Sequence, residues 1–388
     1  MDNSDFCSHP KGGTLAFDIQ LLKVLDPREV ALVGISTDSS IPVGSWTKIT
    51  INGTLFDFFP IYRDRNNSKR PLIPRRLLTF LSLLWYLPRV RKKPYRCVFT
   101  GTPQFLFALS PFKWNSICFC FAGVENSVAL SRYTFLRRLG KLYEKLLFKI
   151  LKSKVEVVLA AADKEAIAKM VLRSNGVLSD VKIESFPTRY DSAIFKPMDS
   201  VSIKKDLGLP MDKKIIVAVG RLSWVKGWPL MLETMLKLDD PDYLLLLVGD
   251  GEDRQRIEDS AAALMKQDRL RITGFVSHDQ VAQYINAADL VIVASYVEGW
   301  STAMIEAIAC GKPIVSTAVS GASALIRNGE NGFVLEERCP VLFSEMIIRG
   351  MQLPQSKEVS LEIAKQYALK TLKNDLKAYW PATDQILT

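Results

Sequence analysis

The feature that most constrains this chain is a strand–helix alternation running through its second half. Lys214–Gly220 (KIIVAVG) is a short apolar run rich in β-branched residues, and a helical pattern follows over Pro229–Leu238. Tyr243–Gly249 (YLLLLVG) repeats the sign and leads into a helical stretch, Arg254–Met265. Leu270–Gly274, a helix around Asp279–Asn286, Leu290–Ala294, a helix over Ser301–Ala309 and Pro313–Thr317 continue the series. Strands with no polar face need cover on both sides, which predicts an α/β fold with a parallel sheet between two helical layers. Ligands of such sheets bind at the carboxyl ends of the strands, in the loops that lead into helices. The chain has 388 residues, 48% of them hydrophobic. That composition excludes a disordered chain and leaves room for two cores.

The first half is less regular. Lys11-Gly12-Gly13-Thr14 precedes an amphipathic helix over Leu15–Leu25. Val30–Ile35, Cys97–Gly101, Ile117–Phe121 and Val155–Ala160 are strand candidates. Thr188–Ser202, with Asp191, Pro197 and Asp199, reads as a linker, and Leu361–Trp380 as a closing helical pattern. These signals predict domains over 1–198 and 199–355, and a terminal helical segment over 356–388.

Charge is uneven. Between Ile61 and Lys154 there are twenty Lys/Arg against Asp64, Glu125 and Glu144, a surplus of seventeen in a chain whose total is +10. Such a concentration implies an anionic partner surface. Arg70–Arg96 places an eleven-residue apolar centre, Leu77–Leu87, between arginines. It is too short for a bilayer, which takes about 20 apolar residues, but suits a segment lying in a headgroup layer. A core helix with solvated basic ends is the plainer alternative. Ser131–Lys154 sets Leu136, Leu139, Leu142, Leu146, Leu147 and Ile150 at helical spacing with Lys141, Lys145, Lys149 and Lys152 mainly between them, a cationic amphipathic helix. An anionic membrane surface met by residues 70–96 and 131–154 is therefore the expected partner. No nucleic-acid motif accompanies the charge, so none is expected. Two histidines (His9, His278) and six cysteines without a CxxC pair exclude a His-rich zinc site and a disulfide scaffold. The start, MDNSDFCSHPKGG, has no basic-then-apolar leader, so a cytoplasmic address is expected, on the inner face of the cell membrane.

The loops at strand ends carry the chemistry. Gly220-Arg221-Leu222-Ser223-Trp224-Val225-Lys226-Gly227 holds two cations five residues apart. A guanidinium fork and a point charge can converge on one polyanion such as a diphosphate; two ordinary solvated cations are the alternative. The strand Leu290–Ala294 leads into Glu298-Gly299-Trp300-Ser301-Thr302, with Ser301 or Thr302 as helix N-cap and Glu306 more than one turn in. Free amides at that helix start favour an anion. Glu306, among Ala303, Ile305, Ala307 and Ile308, suits a pair of uncharged hydroxyls such as a ribose, and Glu298 the hydroxyls of a second polar group. These two cations and two acids should gather around one ligand.

Gly220-Arg221 with Lys226-Gly227, Glu298-x7-Glu306 and Ala307-x3-Gly311-Lys312-Pro313-Ile314-Val315 closely resemble glycosyltransferase family 4. Gly249-Asp250-Gly251, Gly274-Phe275-Val276 and Glu330-Asn331-Gly332-Phe333 are also in register, so the likeness covers about Lys214–Glu336. It implies a GT-B architecture: two Rossmann-like domains facing a cleft, an acceptor-side one and a donor-binding one, with the last helix returning to the first. It implies retaining transfer of a sugar from a nucleotide diphosphate sugar. Arg221 and Lys226 would neutralise the diphosphate, Glu306 hold the ribose, Glu298 contact the donor sugar and Gly274–Val276 border the base. The resemblance gives catalytic roles to Arg221, Lys226 and Glu298, and donor binding to Gly13, Gly249, Phe275, Val276, Gly299, Trp300, Ser301, Thr302 and Glu306 as well. The leaving phosphate can take the acceptor's proton, so neither a metal nor a cofactor is expected. Asp240-Pro241-Asp242 reads DxD but precedes a strand, at the wrong end of the sheet, and reads as a turn.

Three places depart from the family. The histidine-glycine pair of many members reads Ala122-Gly123-Val124-Glu125-Asn126, the Asn-Gly-x-Asp linker reads Thr188-Arg189-Tyr190-Asp191, and the Gly-rich first loop is reduced to Gly12-Gly13. The expected activity is sugar transfer to a lipid-linked or polysaccharide acceptor of lipopolysaccharide or O-antigen type. A soluble transferase making a free glycoside, and a non-catalytic basic module binding membrane or nucleic acid, are the rival readings.

Overall fold

The computed structural model describes residues 1, 13–64, 75–95, 97–124 and 134–383. The chain divides into two compact units, Met1–Pro187 with Lys370–Thr388, and Thr188–Leu369.

The first unit runs α1 (Gly13–Val24), β1 (Ala31–Ser36), β2 (Thr47–Ile51), β3 (Thr54–Arg63), α2 (Arg75–Val90), β4 (Cys97–Thr100), α3 (Pro103–Leu109), β5 (Ser116–Phe121), α4 (Thr134–Lys154), β6 (Val157–Ala160), α5 (Lys164–Arg173) and β7 (Ile183–Ser185). Its strands form a three-stranded sheet, β1-β3-β2, and a parallel four-stranded sheet, β4-β5-β6-β7. The β2–β3 hairpin is absent from the strands expected above. Asn52 (φ 48°) and Gly53 (φ 78°) at its tip are both left-handed, the pair that an Asn-Gly hairpin turn requires. That dipeptide was the missed signal. Strand β3 pairs antiparallel with β2 and parallel with β1. Its Phe59 and Ile61 join the main core with Leu83 and Leu87 of α2, while Phe56 and Phe58 pack with Leu22, Leu32 and Ile49.

The second unit runs α6 (Ser200–Asp206), β8 (Lys214–Val219), α7 (Trp228–Leu238), β9 (Tyr243–Val248), α8 (Arg254–Ser260), α9 (Ala262–Lys266), β10 (Leu270–Gly274), α10 (His278–Ala287), β11 (Leu290–Val293), α11 (Thr302–Ala309), β12 (Ile314–Thr317), α12 (Ala322–Leu325), β13 (Gly332–Leu335), α13 (Pro340–Gly350) and α14 (Ser356–Ala364). All five of its sheet pairings are parallel, in the order β10-β9-β8-β11-β12-β13. Every residue of β9 and β11 is buried, as strands covered on both faces must be. The order turns back at β8, so the crevice expected for a ligand lies where β8 and β11 diverge. The single helix expected over Arg254–Met265 is two, parted at Ala261.

Domain limits move from those read in the sequence. Residues 188–198 pair within the second unit: the Tyr190 amide bonds the Tyr367 carbonyl at 3.0 Å and the Leu369 amide bonds the Tyr190 carbonyl at 2.9 Å. Helix α14 stays there too, because the buried Asn331 amide reaches the Ser360 hydroxyl at 3.2 Å. The limits therefore fall at 187/188 and 369/370 rather than 198/199 and 355/356. The last helix, α15 (Leu372–Tyr379), belongs to the first unit. Trp380 closes it there: its Nε1 donates to Ser116 Oγ at 2.6 Å and its ring lies 6.4 Å from Phe99. Trp380→Ala leaves a hole, while the Ser116 hydroxyl keeps its bond to the Glu156 carboxylate, and should cost about 3–5 kcal/mol. Urea unfolding followed by circular dichroism checks this; a midpoint equal to wild type would mean that the return helix does not hold the first unit.

Candidate functional site

Backbones meet at the carboxyl ends of β8, β9 and β11, and glycines permit it. A Cβ at Gly249 (φ 142°) would stand 2.1 Å from the Gly220 carbonyl oxygen, and one at Gly227 (φ 72°) would stand 1.8 Å from the Ala294 carbonyl oxygen. The Gly220–Gly227 loop is thereby pressed against the end of β11. A one-turn 3-10 helix, Trp224–Lys226, closes it, and the Tyr296 amide bonds the Val225 carbonyl at 2.8 Å.

Two of the four expected side chains meet directly. Lys226 Nζ stands 2.6 Å from Glu298 Oε1, and Ser295 Oγ donates to the same oxygen at 2.6 Å. Glu298 is 11% exposed, so an ion pair with a second hydrogen bond is what makes its burial affordable. Arg221 points elsewhere. It is 70% exposed, and its Nε is 3.8 Å from Glu252 Oε2, a contact too long and too wet to hold it. The two cations therefore meet different acids, Glu252 and Glu298. Lys226 is engaged, and Arg221 is an exposed guanidinium at the end of β8.

Glu306 lies in the second turn of α11, 7% exposed, and no ion pair reaches it among the described residues. Burial alone pushes its carboxyl up from 4.5 to about 8. An acid buried without a cation is stable only as a hydrogen-bonding neutral group or with a ligand that satisfies it. Ser301 is the N-cap residue of α11 by backbone geometry, but its side chain makes no capping bond, contrary to the cap expected. The first amides of α11, from Thr302 on, thus receive no bond from the Ser301 side chain, and a helix start of this kind favours an anion. Trp300 is buried; its ring fills the space beside Gly321, where a Cβ would stand 2.9 Å from it, and lies 5.7 Å from Tyr367. It is an anchor for the Glu298–Thr302 loop, Gly299 included.

At the far end of the crevice Gly249 and Gly274 form an antiparallel bridge. Phe275, just beyond, is 85% exposed and Val276 half-buried. The flanking Asp250 carboxylate pairs with Arg254 at 3.1 Å. Gly13 opens α1 in the first unit, and its surroundings are not described. Ala122-Gly123 follow β5; Glu125 and Asn126 lie outside the described residues. Asp240-Pro241-Asp242 turn at the amino end of β9, where the Asp242 amide bonds Asp240 Oδ1 at 2.9 Å. That is the end of the sheet away from Lys226, as a turn reading requires. No group of three or more His, Cys, Asp or Glu is placed to hold a metal among the described residues.

Other motif residues are structural. Lys312 is half-buried and spans the Asn286 and Ala288 carbonyls at 2.8 Å each, closing the end of α10. Asn331 accepts from the Arg327 amide at 2.7 Å and donates to the Leu325 carbonyl at 3.1 Å. Two residues were not anticipated. Ser295 fixes Glu298, and Arg338 braces the end of β11 from the loop after β13, donating to the Ala294 and Ser295 carbonyls at 2.8 and 3.0 Å. A lone serine carries no pattern, and Arg338 stands forty residues from its partners in the chain, so only folding reveals either.

Residues 199–367 match the family model of glycosyl transferases group 1. Those residues fall within the second unit. A 2-deoxystreptamine N-acetyl-D-glucosaminyltransferase of Niallia circulans is 29% identical over 160 residues, 38% of this chain and 41% of that protein. A D-inositol 3-phosphate glycosyltransferase of Geodermatophilus obscurus is 33% identical over 172 residues, 42% of this chain and 38% of that protein. The chain thus spans about two fifths of the length of the curated relatives it matches. Over the whole chain the fold is similar to a sucrose-phosphate synthase from Thermosynechococcus elongatus (TM-score 0.77, 18% identity, 98% of this chain and 96% of that one). It is also similar to HepE from Anabaena in complex with UDP-glucose (TM-score 0.70, 18% identity, 97% and 98%). The fold is GT-B, with two Rossmann-like units.

Glu306 gives a pH signature. Its proton is held more tightly in the folded chain, so its contribution to stability is complete below about 4.5 and lost as pH rises to about 8. Glu306→Gln, which cannot ionise, should match wild type near pH 4.5 and exceed its Tm by at least about 2 °C at pH 9. Melts at the two pH values check it; an unchanging difference would mean that the carboxyl does not titrate in this window.

Proposed function

We propose that this chain is a retaining glycosyltransferase that moves a sugar from a nucleotide diphosphate sugar to a lipid-linked or polysaccharide acceptor at the cytoplasmic face of a membrane. The observation that carries the reading is the Lys226–Glu298 pair at the carboxyl ends of β8 and β11, with the buried Glu306 on α11, the helix that follows the Glu298 loop. In it, Lys226 and the exposed Arg221 meet the diphosphate, together with the amides after Ser301. Glu306 accepts two ribose hydroxyls, and Phe275 and Val276 border the base. Glu298, held in place by Ser295 and Lys226, accepts hydroxyls of the donor sugar. The bond from the anomeric carbon to the phosphate oxygen breaks as the acceptor oxygen bonds to the same face of that carbon. The acceptor's proton passes to the leaving phosphate oxygen, so the step calls for no protein base. Fixed positive charge stabilises the departing diphosphate, and in this reading it does so without a metal. UDP-sugars are the first donors to assay, since HepE holds UDP-glucose.

A second reading, transfer to a small free acceptor, is favoured by the relatives named for 2-deoxystreptamine and D-inositol 3-phosphate as acceptors. Both readings share the donor site. Lys226→Ala should lower kcat/KM for donor turnover by about 10²–10³-fold, with an unchanged circular dichroism spectrum, and activity should survive a chelator. Donor hydrolysis by wild type and variant measures this directly; equal turnover would sink the donor site. Proton NMR of the product's anomeric centre tests retention, and an inverted product would refute it.

A further inference from the structure

Two helices of the first unit are apolar on both sides. In α2 the core face is Thr79, Leu83, Leu87 and Val90. The opposite face carries Leu77, Leu81 and Trp85, one turn apart, 47%, 52% and 77% exposed. A surface helix ordinarily turns a polar side to water. In α4 the apolar residues divide against expectation: Leu147, Phe148 and Leu151 enter the core, whereas Leu139, Leu142 and Leu146 face out. Lys141, Lys145, Lys149 and Lys152 are exposed on the band beside those leucines. The two helices are neighbours, since α3 packs against both and Arg76 of α2 acts on the Tyr143 hydroxyl of α4. Arg76, Arg89 and Lys92 are exposed on or just beyond α2, while Arg75 pairs with Asp64 at 2.9 Å, and Arg91 and Lys93 are engaged by Phe112 and Trp114 and by Asp57.

We propose that the outer faces of α2 and α4 form one docking surface for an anionic lipid bilayer, with Leu77, Leu81, Trp85, Leu139, Leu142 and Leu146 entering the headgroup boundary and the lysines and arginines meeting lipid phosphates. Charge complementarity selects an anionic occupant, and the exposed leucines select a lipid over a polynucleotide, whose phosphate backbone offers them nothing. No described helix is long and apolar enough to cross a membrane, so this surface would lie on the bilayer rather than in it. The segments 70–74, 96 and 131–133 of the expected contact lie outside the described residues. The proposal rests on the transfer reading only in that a lipid-linked acceptor would be met at this surface.

The test is co-sedimentation of the full chain with vesicles of phosphatidylcholine, with and without phosphatidylglycerol, at low and high salt. Wild type should pellet with the phosphatidylglycerol vesicles at low salt and release at high salt. Leu81→Ser/Trp85→Ser should weaken binding by roughly tenfold or more, and Lys145→Ala/Lys149→Ala by about fivefold for each cation removed. All three proteins should share one circular dichroism spectrum, because the changed side chains face water. Failure of wild type to pellet, variants that pellet like wild type, or salt-sensitive binding to RNA without binding to vesicles each overturns the proposal. Donor hydrolysis in the same preparations separates the two readings: hydrolysis without vesicle binding removes the surface alone, and vesicle binding without hydrolysis removes the transfer reading alone.

Discussion

Backbone has to touch backbone at the carboxyl ends of β8, β9 and β11, and the candidate site follows from that contact. With any side chain at 227 or 249 the loop after β8 would be pushed off the ends of β9 and β11. Lys226 would then miss Glu298, which would be left buried without its cation. The stem of Lys226 even runs back past Gly220, where a Cβ would lie 3.5 Å from its Cε. The ion pair is thus a product of close approach, and its position is set by main chain rather than by the flexible lysine itself.

Two acids in this crevice have opposite electrostatic lives. Glu298 is satisfied within the protein, by a cation and a hydroxyl. Glu306 is buried in α11 without a cation and holds its proton to about pH 8. The first is therefore a fixed acceptor, and the second a group whose ionisation depends on what enters.

The first unit raises a separate physical problem. A helix apolar on two opposite sides costs solubility unless something covers the outer side. In α2 the inner side builds the core, so the outer leucines and Trp85 are surplus to folding. The lysine band of α4 beside its own outward leucines has the same character, and in both helices charge and apolar surface occur together.

The parallel sheet of the second unit, the order of its motifs, the loops that carry Lys226 and Glu298 and the helix that carries Glu306 were legible in the sequence, because strands covered on both faces are written as unbroken apolar runs flanked by glycine. The Asn52-Gly53 hairpin was legible too, in a dipeptide that only a tight left-handed turn favours. Other features belong to tertiary structure alone. Which leucines of α4 face the core depends on α3, which packs against it, and periodicity cannot tell one apolar face from two. The linker joined the second unit because Tyr190 found its hydrogen-bond partners at Tyr367 and Leu369, far along the chain. Likewise Lys226 paired with Glu298 while Arg221 turned outward. Local sequence fixes which residues reach a strand's end, but the direction of a long charged side chain is decided by whichever opposite charge the folded backbone brings within reach.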